Sequence, residues 1–537
     1  MFAILLNSRS VLFSASKKYT HLFLASVLLM LAVFMLFPFY KYYVDPDGTS
    51  YLTIAKRYAS GDFKAAVNGY WSPWSCWLVA GFIKLGWGAE PASILVNTVG
   101  GLGFLVISRH LFRRFSLPQW YADTATYAIA FFLCFAIYWQ TFDDLWECFF
   151  LLLSLYLYIK PGFFESKFNW VLAGIIGALA FLSKAYAFPY FVILTLCSLV
   201  LIYGLPGKKT VLCAVSILGV MVVVSLPWLI ALHNKYGIWT TSTSGSLNLS
   251  WYLVGHPHWK NEIKLLLPPV YPDSPYYWED PWFANGDTSF LWSSWKMFGL
   301  GCMRLVLTCY KFLVSQLQIA VFFPVVFIFG LYALINSKLW KTIELNYKLL
   351  IMAFLLFPAG YLLINFESRY IWFMLPPAMI LGFKVLEQYT KWRSNRVVMY
   401  LFLMSFLVYP AWQMAKLFNE GKHEYELAQK ITALHINGSF TSNRRPVFMA
   451  RLAWFTGNTY YYNAQPDLLK SRLVNAGGNV DSLVGEIKRY HIRYFLYFKG
   501  REGDDYLGQD FKNNQLFISS MKQLMTVDDA EIFEVRE

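Results

Sequence analysis

For its first three quarters the chain alternates long apolar runs with short basic turns. The runs lie near 21–41, 91–109, 120–141, 145–160, 169–184, 186–204, 210–232, 316–336, 348–365, 370–388 and 397–414. A helix needs about 20 apolar residues to cross the hydrocarbon core of a bilayer, so the pattern predicts roughly eleven transmembrane helices. Segment 74–88 is shorter and reads as a half-inserted interfacial helix. The first run, His21 to Tyr40, is long enough to span and lacks a small-residue cleavage site, so no cleavable signal peptide is expected.

The charges give the layout two sides. With the N-terminus in the cytoplasm, the inner turns carry Lys17 and Lys18; Arg109, Arg113 and Arg114; Lys160 and Lys167; Lys208 and Lys209; Lys338 and Lys341; and Lys391, Arg393 and Arg396. Basic inner turns are what the positive-inside rule requires. An odd number of spans then puts the C-terminus outside.

Three outer pieces follow: 42–90, 233–315 and the tail 415–537. The tail is more polar and holds strand-like runs at Pro446-Val-Phe-Met-Ala, His491-Ile-Arg-Tyr-Phe-Leu-Tyr-Phe498 and Glu531-Ile-Phe-Glu-Val535. Helical stretches at 422–434 and 481–490 lie between them, which predicts a small α/β unit. The expected fold class is therefore mainly α. A polytopic helical bundle over 1–414 is followed by an extracytoplasmic α/β domain over 415–537.

Composition agrees with a bilayer setting. Of 537 residues, 57% are hydrophobic and 15% charged, against about 25% charged in ordinary soluble domains. A net charge of +14 would suggest nucleic acid in a soluble protein. Here the excess falls in the turns, so it reads as a topology signal and no nucleic-acid partner is expected. The seven cysteines form no CxxC, and Cys134, Cys148, Cys197 and Cys213 sit inside apolar runs, where they read as small buried hydrophobes.

Four constellations fall on the outer side. The first is Tyr43-Val-Asp-Pro-Asp-Gly-Thr-Ser-Tyr51. Asp45 and Asp47 stand where the first span ends, and a helix should start there, with Tyr51, Ile54, Ala55 and Tyr58 on one face and Gly61 at its end. Either the acids merely cap that helix, or one is a general base whose pKa is raised by desolvation. The second is Thr141-Phe-Asp-Asp-Leu-Trp-Glu147. On a helix, Asp143 or Asp144 shares a face with Glu147, and ionisable groups at the end of a span are candidates for function. The third runs from Gly174 to Tyr186, with small residues for close packing and Lys184 at its exit. The fourth, Phe366-Glu-Ser-Arg-Tyr, offers Arg369, with Glu367 to neutralise it. Lys184 and Arg369 are candidate clamps for a phosphate. His256-Pro-His258 in the long outer loop is a weak metal signal, and loop aromatics such as Trp278 suit membrane-interface packing or stacking on a sugar ring.

In this order the pieces resemble the glycosyltransferase C superfamily, in particular bacterial relatives of protein O-mannosyltransferases and the lipid A aminoarabinose transferase. The matching positions are Asp47, Tyr51 and Ala55; Asp143 or Asp144; Lys184; and Arg369, Tyr370 and Pro376. Close relatives often carry Asp-Glu where this chain has Asp47-Gly48, which leaves the choice of base between Asp45 and Asp47. The resemblance implies a polyprenyl-phosphate sugar donor and a lipid, glycan or protein acceptor at the outer face of a bacterial inner membrane. It further implies inversion with an Asp base and with Asp143 or Asp144 orienting the acceptor or tuning that base; from position alone, Glu147 is a further acid of that kind, and Tyr51, Tyr370, His256 and His258 are candidate substrate contacts. No cofactor is expected. An Asp-x-Asp can hold a divalent metal, but the resemblance favours a site without one.

Three other readings compete. A transporter of lipid-linked sugars should show midplane charges and an internal repeat, and neither is evident. A lipid-linked glycan ligase or polymerase would lean on Arg and His of the long loop. A membrane scaffold would need no site at all. In an endoplasmic reticulum setting, Asn248-Leu-Ser250 would be a glycosylation acceptor.

Overall fold

In a computed structural model, residues 2–139, 142–204, 207–254, 266–281, 294–389, 396–463, 480–499 and 511–536 are described. The first apolar run is the end of α1 (Phe2–Tyr40), and the chain then turns at Asp45 into α2 (Pro46–Ser60). Asp45 caps α2, accepting the Gly48 N–H at 2.6 Å, while Pro46 occupies the first turn, where its missing N–H costs nothing. Gly61 ends the helix in the left-handed region at φ 87°, as its position predicted. Tyr51, Ile54, Ala55 and Tyr58 are buried, but so are Thr49, Ser50, Leu52, Thr53 and Arg57. The helix is therefore sunk into the protein around most of its circumference rather than lying on a surface.

After the short α3 (Phe63–Ala66) comes α4 (Pro73–Lys84). Its 12 residues reach about 18 Å, too short to cross the hydrocarbon. The bundle proper continues through α5 (Ala89–Arg114), α6 (Gln119–Ala136), α7 (Phe142–Tyr158), α8 (Lys167–Ser183), α9 (Ala187–Tyr203) and α10 (Lys208–Tyr236). Then follow α11 (Ser244–Val254), α12 (Trp295–Ile319), α13 (Phe323–Ile335), α14 (Ser337–Thr342), α15 (Leu345–Leu356), α16 (Ala359–Ile364), α17 (Leu375–Tyr389) and α18 (Arg396–Leu417). A 3₁₀ segment, Ser368–Met374, leads into α17. Small residues set the spacing: a methyl added at Gly174 of α8 would lie 2.6 Å from the backbone oxygen of Ile217 on α10.

The protein is an integral, multi-pass membrane protein. Among the described residues seven helical stretches are long and apolar enough to cross a membrane, with α8, α9 and α13 apolar but shorter. The expected run at 316–336 is two helices broken at Ala320, with Pro324 in the first turn of the second. The outer loop expected over 233–315 is likewise shorter, because α12 begins at Trp295. Lys296, Arg304 and Lys311 interrupt the apolar run of α12, which hid it from a hydropathy reading.

The tail folds as a five-stranded sheet in the order β3-β2-β5-β7-β6. The strands are β2 (Ser439–Ser442), β3 (Thr459–Tyr460), β5 (Tyr494–Phe498), β6 (Met521–Val527) and β7 (Ala530–Val535). β2 runs parallel to β3 and β5, while β7 pairs antiparallel with β5 and β6. Around it lie α19 (Lys422–Ala433), α20 (Pro446–Thr456), α21 (Val480–Arg489) and α22 (Gln515–Ser520). Pro446-Val-Phe-Met-Ala is thus the start of a helix, not a strand. Pro446 sits in its first turn and Gly457 closes it at φ 69°.

Among the described residues, several contacts fasten the tail to the rest of the chain. β1 (Leu266–Leu267), from the outer loop, pairs antiparallel with β4 (Tyr462–Asn463). Tyr276 and Tyr277 enter the core under the sheet. Arg451 of α20 donates through Nε to the Val44 carbonyl at 2.7 Å and through Nη1 to Glu420 and Glu424 at 2.8 and 2.9 Å.

A candidate active site at the exit of the first span

Four segments far apart in sequence meet at the tail end of the bundle. α2 begins there, α7 begins there, α8 ends there, and the 3₁₀ segment Ser368–Met374 passes beside them. Each brings ionisable groups to one cavity of about 470 Å³, lined by Asp47, Asp143, Asp144, Glu367, Lys184 and Arg369 together with Tyr51, Tyr370 and other residues.

Arg369 joins the acids. Its Nη2 is 3.3 Å from Asp47 Oδ2, its Nη1 3.8 Å from Asp144 Oδ2, and its Nε 2.8 Å from Glu367 Oε2. Lys184, the C-cap of α8, pairs with Asp144 and lies 3.7 Å from Glu147 Oε2. Asp144 thus meets both cations. Asp143 turns the other way, accepting the Ser75 N–H at 3.3 Å and the Tyr51 hydroxyl. Glu147, one turn deeper on α7, accepts from the Tyr361 hydroxyl at 3.4 Å and is not part of the cavity wall. The tyrosines form a stack beside it: Tyr361 and Tyr370 lie 4.1 Å apart at 10°, and Lys184 Nζ is 4.7 Å from the Tyr370 ring centre.

The two acids at the start of α2 part company here. Asp45 is spent on its cap and stands outside the cavity wall, whereas Asp47 faces the cavity and Arg369. Burial pushes the Asp47 carboxyl up to about 7, with Arg369 pulling it down and the negative charges of Asp45 and Glu367 adding to the rise. Burial likewise raises Asp45, against the pull of its Gly48 hydrogen bond. A carboxylate titrating near neutrality can both accept a proton and release it.

The structure therefore brings together Asp47, Asp143, Asp144, Lys184, Arg369, Tyr51 and Tyr370, with Glu147 behind them. His256 and His258 lie outside the described residues. Four carboxylates against two cations line the wall, so the cations are already matched by protein charge. Sequence reasoning missed Asn365, Tyr361 and Trp71 and read Asn248 only as a glycosylation acceptor, while Trp278, foreseen as a stacking aromatic, meets Trp71, whose Nε1 donates to the Trp278 carbonyl at 3.2 Å. Asn365 directly precedes the Phe366-Glu-Ser-Arg constellation, so its place was a usable signal, whereas Trp71 and Tyr361 have no ionisable neighbour in sequence to mark them. Among the described residues, no group of three His, Cys, Asp or Glu side chains is arranged to hold a metal ion.

Comparison with solved structures finds this arrangement of helices and tail in ArnT from Cupriavidus metallidurans bound to undecaprenyl phosphate. The alignment covers 96% of this chain and 98% of that one, at a TM-score of 0.53 and 13% identity. This chain has the fold of ArnT. ArnT in the apo state aligns over 95% of this chain and 97% of that one, at a TM-score of 0.45 and 14% identity. No family model and no curated protein matches the chain.

Proposed function

We propose that the protein transfers a sugar from a polyprenyl-phosphate donor to an acceptor hydroxyl at the extracytoplasmic face of a bacterial inner membrane, with the N-terminus inside and the tail outside. The observation that carries this reading is the convergence of Asp47, Asp144, Lys184 and Arg369 on one cavity at the end of a membrane bundle. The fold shared with ArnT, a protein solved with undecaprenyl phosphate, supports the choice of donor.

Asp47 is the base. It takes the proton of the acceptor hydroxyl as that oxygen attacks the anomeric carbon from the side opposite the phosphate. The bond from carbon to phosphate oxygen breaks, configuration inverts, and the electron pair leaves on the polyprenyl phosphate. Lys184 and Arg369 offset the charge that develops there. In the resting protein both are engaged by carboxylates, so an arriving phosphate competes with Asp144 and Glu367 for them. Protonation of Asp47 during the reaction releases Arg369 from one of its partners at the moment the phosphate gains charge. Tyr361, Tyr370, Trp71 and Trp278 supply the flat apolar faces a sugar ring needs.

The test is purified full-length protein with labelled polyprenyl-phosphate sugar. Release of polyprenyl phosphate by the wild type, and its loss in Asp47→Asn at unchanged melting temperature, is the expected result. Wild-type turnover in Asp47→Asn would reject the assignment. Vectorial movement of the lipid without bond cleavage would favour a transporter.

A further inference from the structure

The cavity wall divides by charge. Its charged groups, Asp47, Asp143, Asp144, Lys184, Glu367 and Arg369, come from the ends of α2, α7 and α8 and from the stretch at 367–369. The pieces at 70–72 and 241–248, with Trp278, bring aromatic rings, hydroxyls and one amide, and no charge. Tyr51 joins the two halves. Its hydroxyl donates to Asp143, and its ring lies 5.0 Å from that of Trp71. From there Trp71 meets Tyr70 at 4.6 Å, and Tyr70 meets Trp278 at 5.3 Å. The Tyr70 hydroxyl donates to Asn248 Oδ1 at 3.1 Å. A line of rings thus leads from the acids to an amide.

This neutral half is one bonded unit. Asn68 is buried behind it and holds two of its pieces. Its Oδ1 accepts the N–H groups of Tyr70 at 2.9 Å and Trp71 at 3.0 Å, and its Nδ2 donates to the Glu279 carbonyl at 2.7 Å. The Gly69 carbonyl brings in the third piece, accepting the Thr243 N–H and the Ser242 hydroxyl, both at 2.8 Å. A methyl at Gly69 would lie 2.7 Å from Thr243 Cγ2, so only glycine lets these strips close. Beside Trp278, Tyr277 stacks on Tyr462 of the tail at 4.8 Å and 18°. A wall ordered in advance costs little further entropy when a ligand arrives.

Tyr70, Trp278 and Asn248 are half-buried and line the cavity. Flat apolar faces beside hydrogen-bonding groups, without charge, suit an uncharged ring that carries hydroxyls. A peptide held by its backbone would instead be met by an open strand edge, and among the described residues no strand lines the cavity. Two ring contacts separate Tyr51 from Tyr70, so a ring held at Tyr70 is not the one that reacts beside the acids.

We propose that Tyr70, Trp278 and Asn248 form an acceptor subsite that takes an uncharged saccharide ring, the neighbour of the ring whose hydroxyl Asp47 activates. The acceptor is then a saccharide of two rings or more, and these three residues set its specificity. That the ring belongs to an acceptor rests on the transferase reading. The saccharide recognition rests on the neutral wall and can be measured without turnover.

The experiment titrates maltotriose, cellotriose and chitotriose into full-length protein in phosphatidylcholine nanodiscs, with binding read by saturation-transfer NMR. The wild type should bind at least one of them. For that trisaccharide, Trp278→Ala should weaken binding about tenfold or more, the scale of one lost aromatic face, and Trp278→Phe should restore part of it. Asn248→Ala and Tyr70→Phe should each weaken it about threefold or more, within the range of one uncharged hydrogen bond. Tyr70→Phe keeps the ring and guards against misfolding of the other variants. With labelled polyprenyl-phosphate sugar present, the same variants should raise the acceptor KM by a larger factor than they lower kcat. A wild type that binds none of the trisaccharides overturns the subsite, as does unchanged affinity in Tyr70→Phe and in folded Trp278→Ala. Transfer to a serine or threonine peptide and to no saccharide overturns the acceptor class. Saccharide binding through these residues without release of polyprenyl phosphate keeps the subsite and rejects the transferase reading. Transfer to a saccharide at unaltered KM in all the variants keeps that reading and rejects the subsite.

Discussion

Asp47 and Arg369 are separated by 322 positions in the chain and by 3.3 Å in space. One lies on the first turn of a helix sunk beside the membrane exit, the other on a 3₁₀ segment that follows α16. The pair fixes the protonation behaviour of the proposed base, because burial pushes Asp47 up to about 7 and Arg369 is the main force pulling it back.

The sign of the pH dependence follows. The base works deprotonated, so kcat/KM should rise through pH about 7 and fall about tenfold per unit on the acid side. Arg369→Gln removes the downward pull, so the acid limb should move to higher pH as well as lose rate. A pH–rate profile of both proteins checks this, and an unmoved limb in Arg369→Gln would sink the coupling.

Asp45 and Asp47 should separate cleanly. Asp45→Ala removes the cap of α2 and should cost about 1 kcal/mol of stability while keeping part of the turnover. Asp47→Asn should remove transfer and leave the melting temperature in place. The reverse pattern would exchange their roles.

Arg57 is 6% exposed at its side chain, and its partner Glu279 is 1% exposed, with Nε to Oε1 at 2.6 Å. Arg57 also reaches Asp273 at 2.8 Å, so it holds the 273–279 stretch of the outer loop against α2. Removing one member of a buried pair strands the other, at a cost of about 3–5 kcal/mol. Arg57→Gln should lower the melting temperature sharply and open the 266–281 loop to protease. A variant as stable and as protease-resistant as wild type would show that the pair is not what holds the loop.

Two glycines offer a matched test of packing. Gly174→Ala places a methyl against the Ile217 backbone oxygen and Val220, so it should cost about 1–3 kcal/mol. It should also lower turnover, since α8 delivers Lys184. Gly219 of α10 has open space around it, so Gly219→Ala should gain up to about 1 kcal/mol from helix propensity. Thermal unfolding in detergent with an activity measurement checks both; equal effects would refute the packing argument.

The bundle was legible because the bilayer imposes one simple rule on composition. The start of α2, its glycine stop, and the strands at Tyr494–Phe498 and Ala530–Val535 were legible from local chemistry. α12 was not, because three cations lower its hydropathy, and α20 was not, because Val-Phe-Met-Ala reads equally as strand or helix until Pro446 and Gly457 are weighed together. Asp47, Asp144, Lys184 and Arg369 were each visible as an ionisable group at the end of a span. The part Asp45 plays in capping was visible only as an alternative. The pairing of Arg369 with Glu367 was visible locally, but its contacts with Asp47 and Asp144 were not, because they cross hundreds of residues.

Arg451 grips the Val44 carbonyl one residue before the cap of α2. The tail thus acts as a splint on the stretch of main chain that aims Asp47. A protein cut after residue 414 would keep every charged group of the cavity and lose the brace that orients one of them. A foreign tail grafted onto this bundle would keep Asp47 aimed only if it carried a donor that takes up the grip on the Val44 carbonyl.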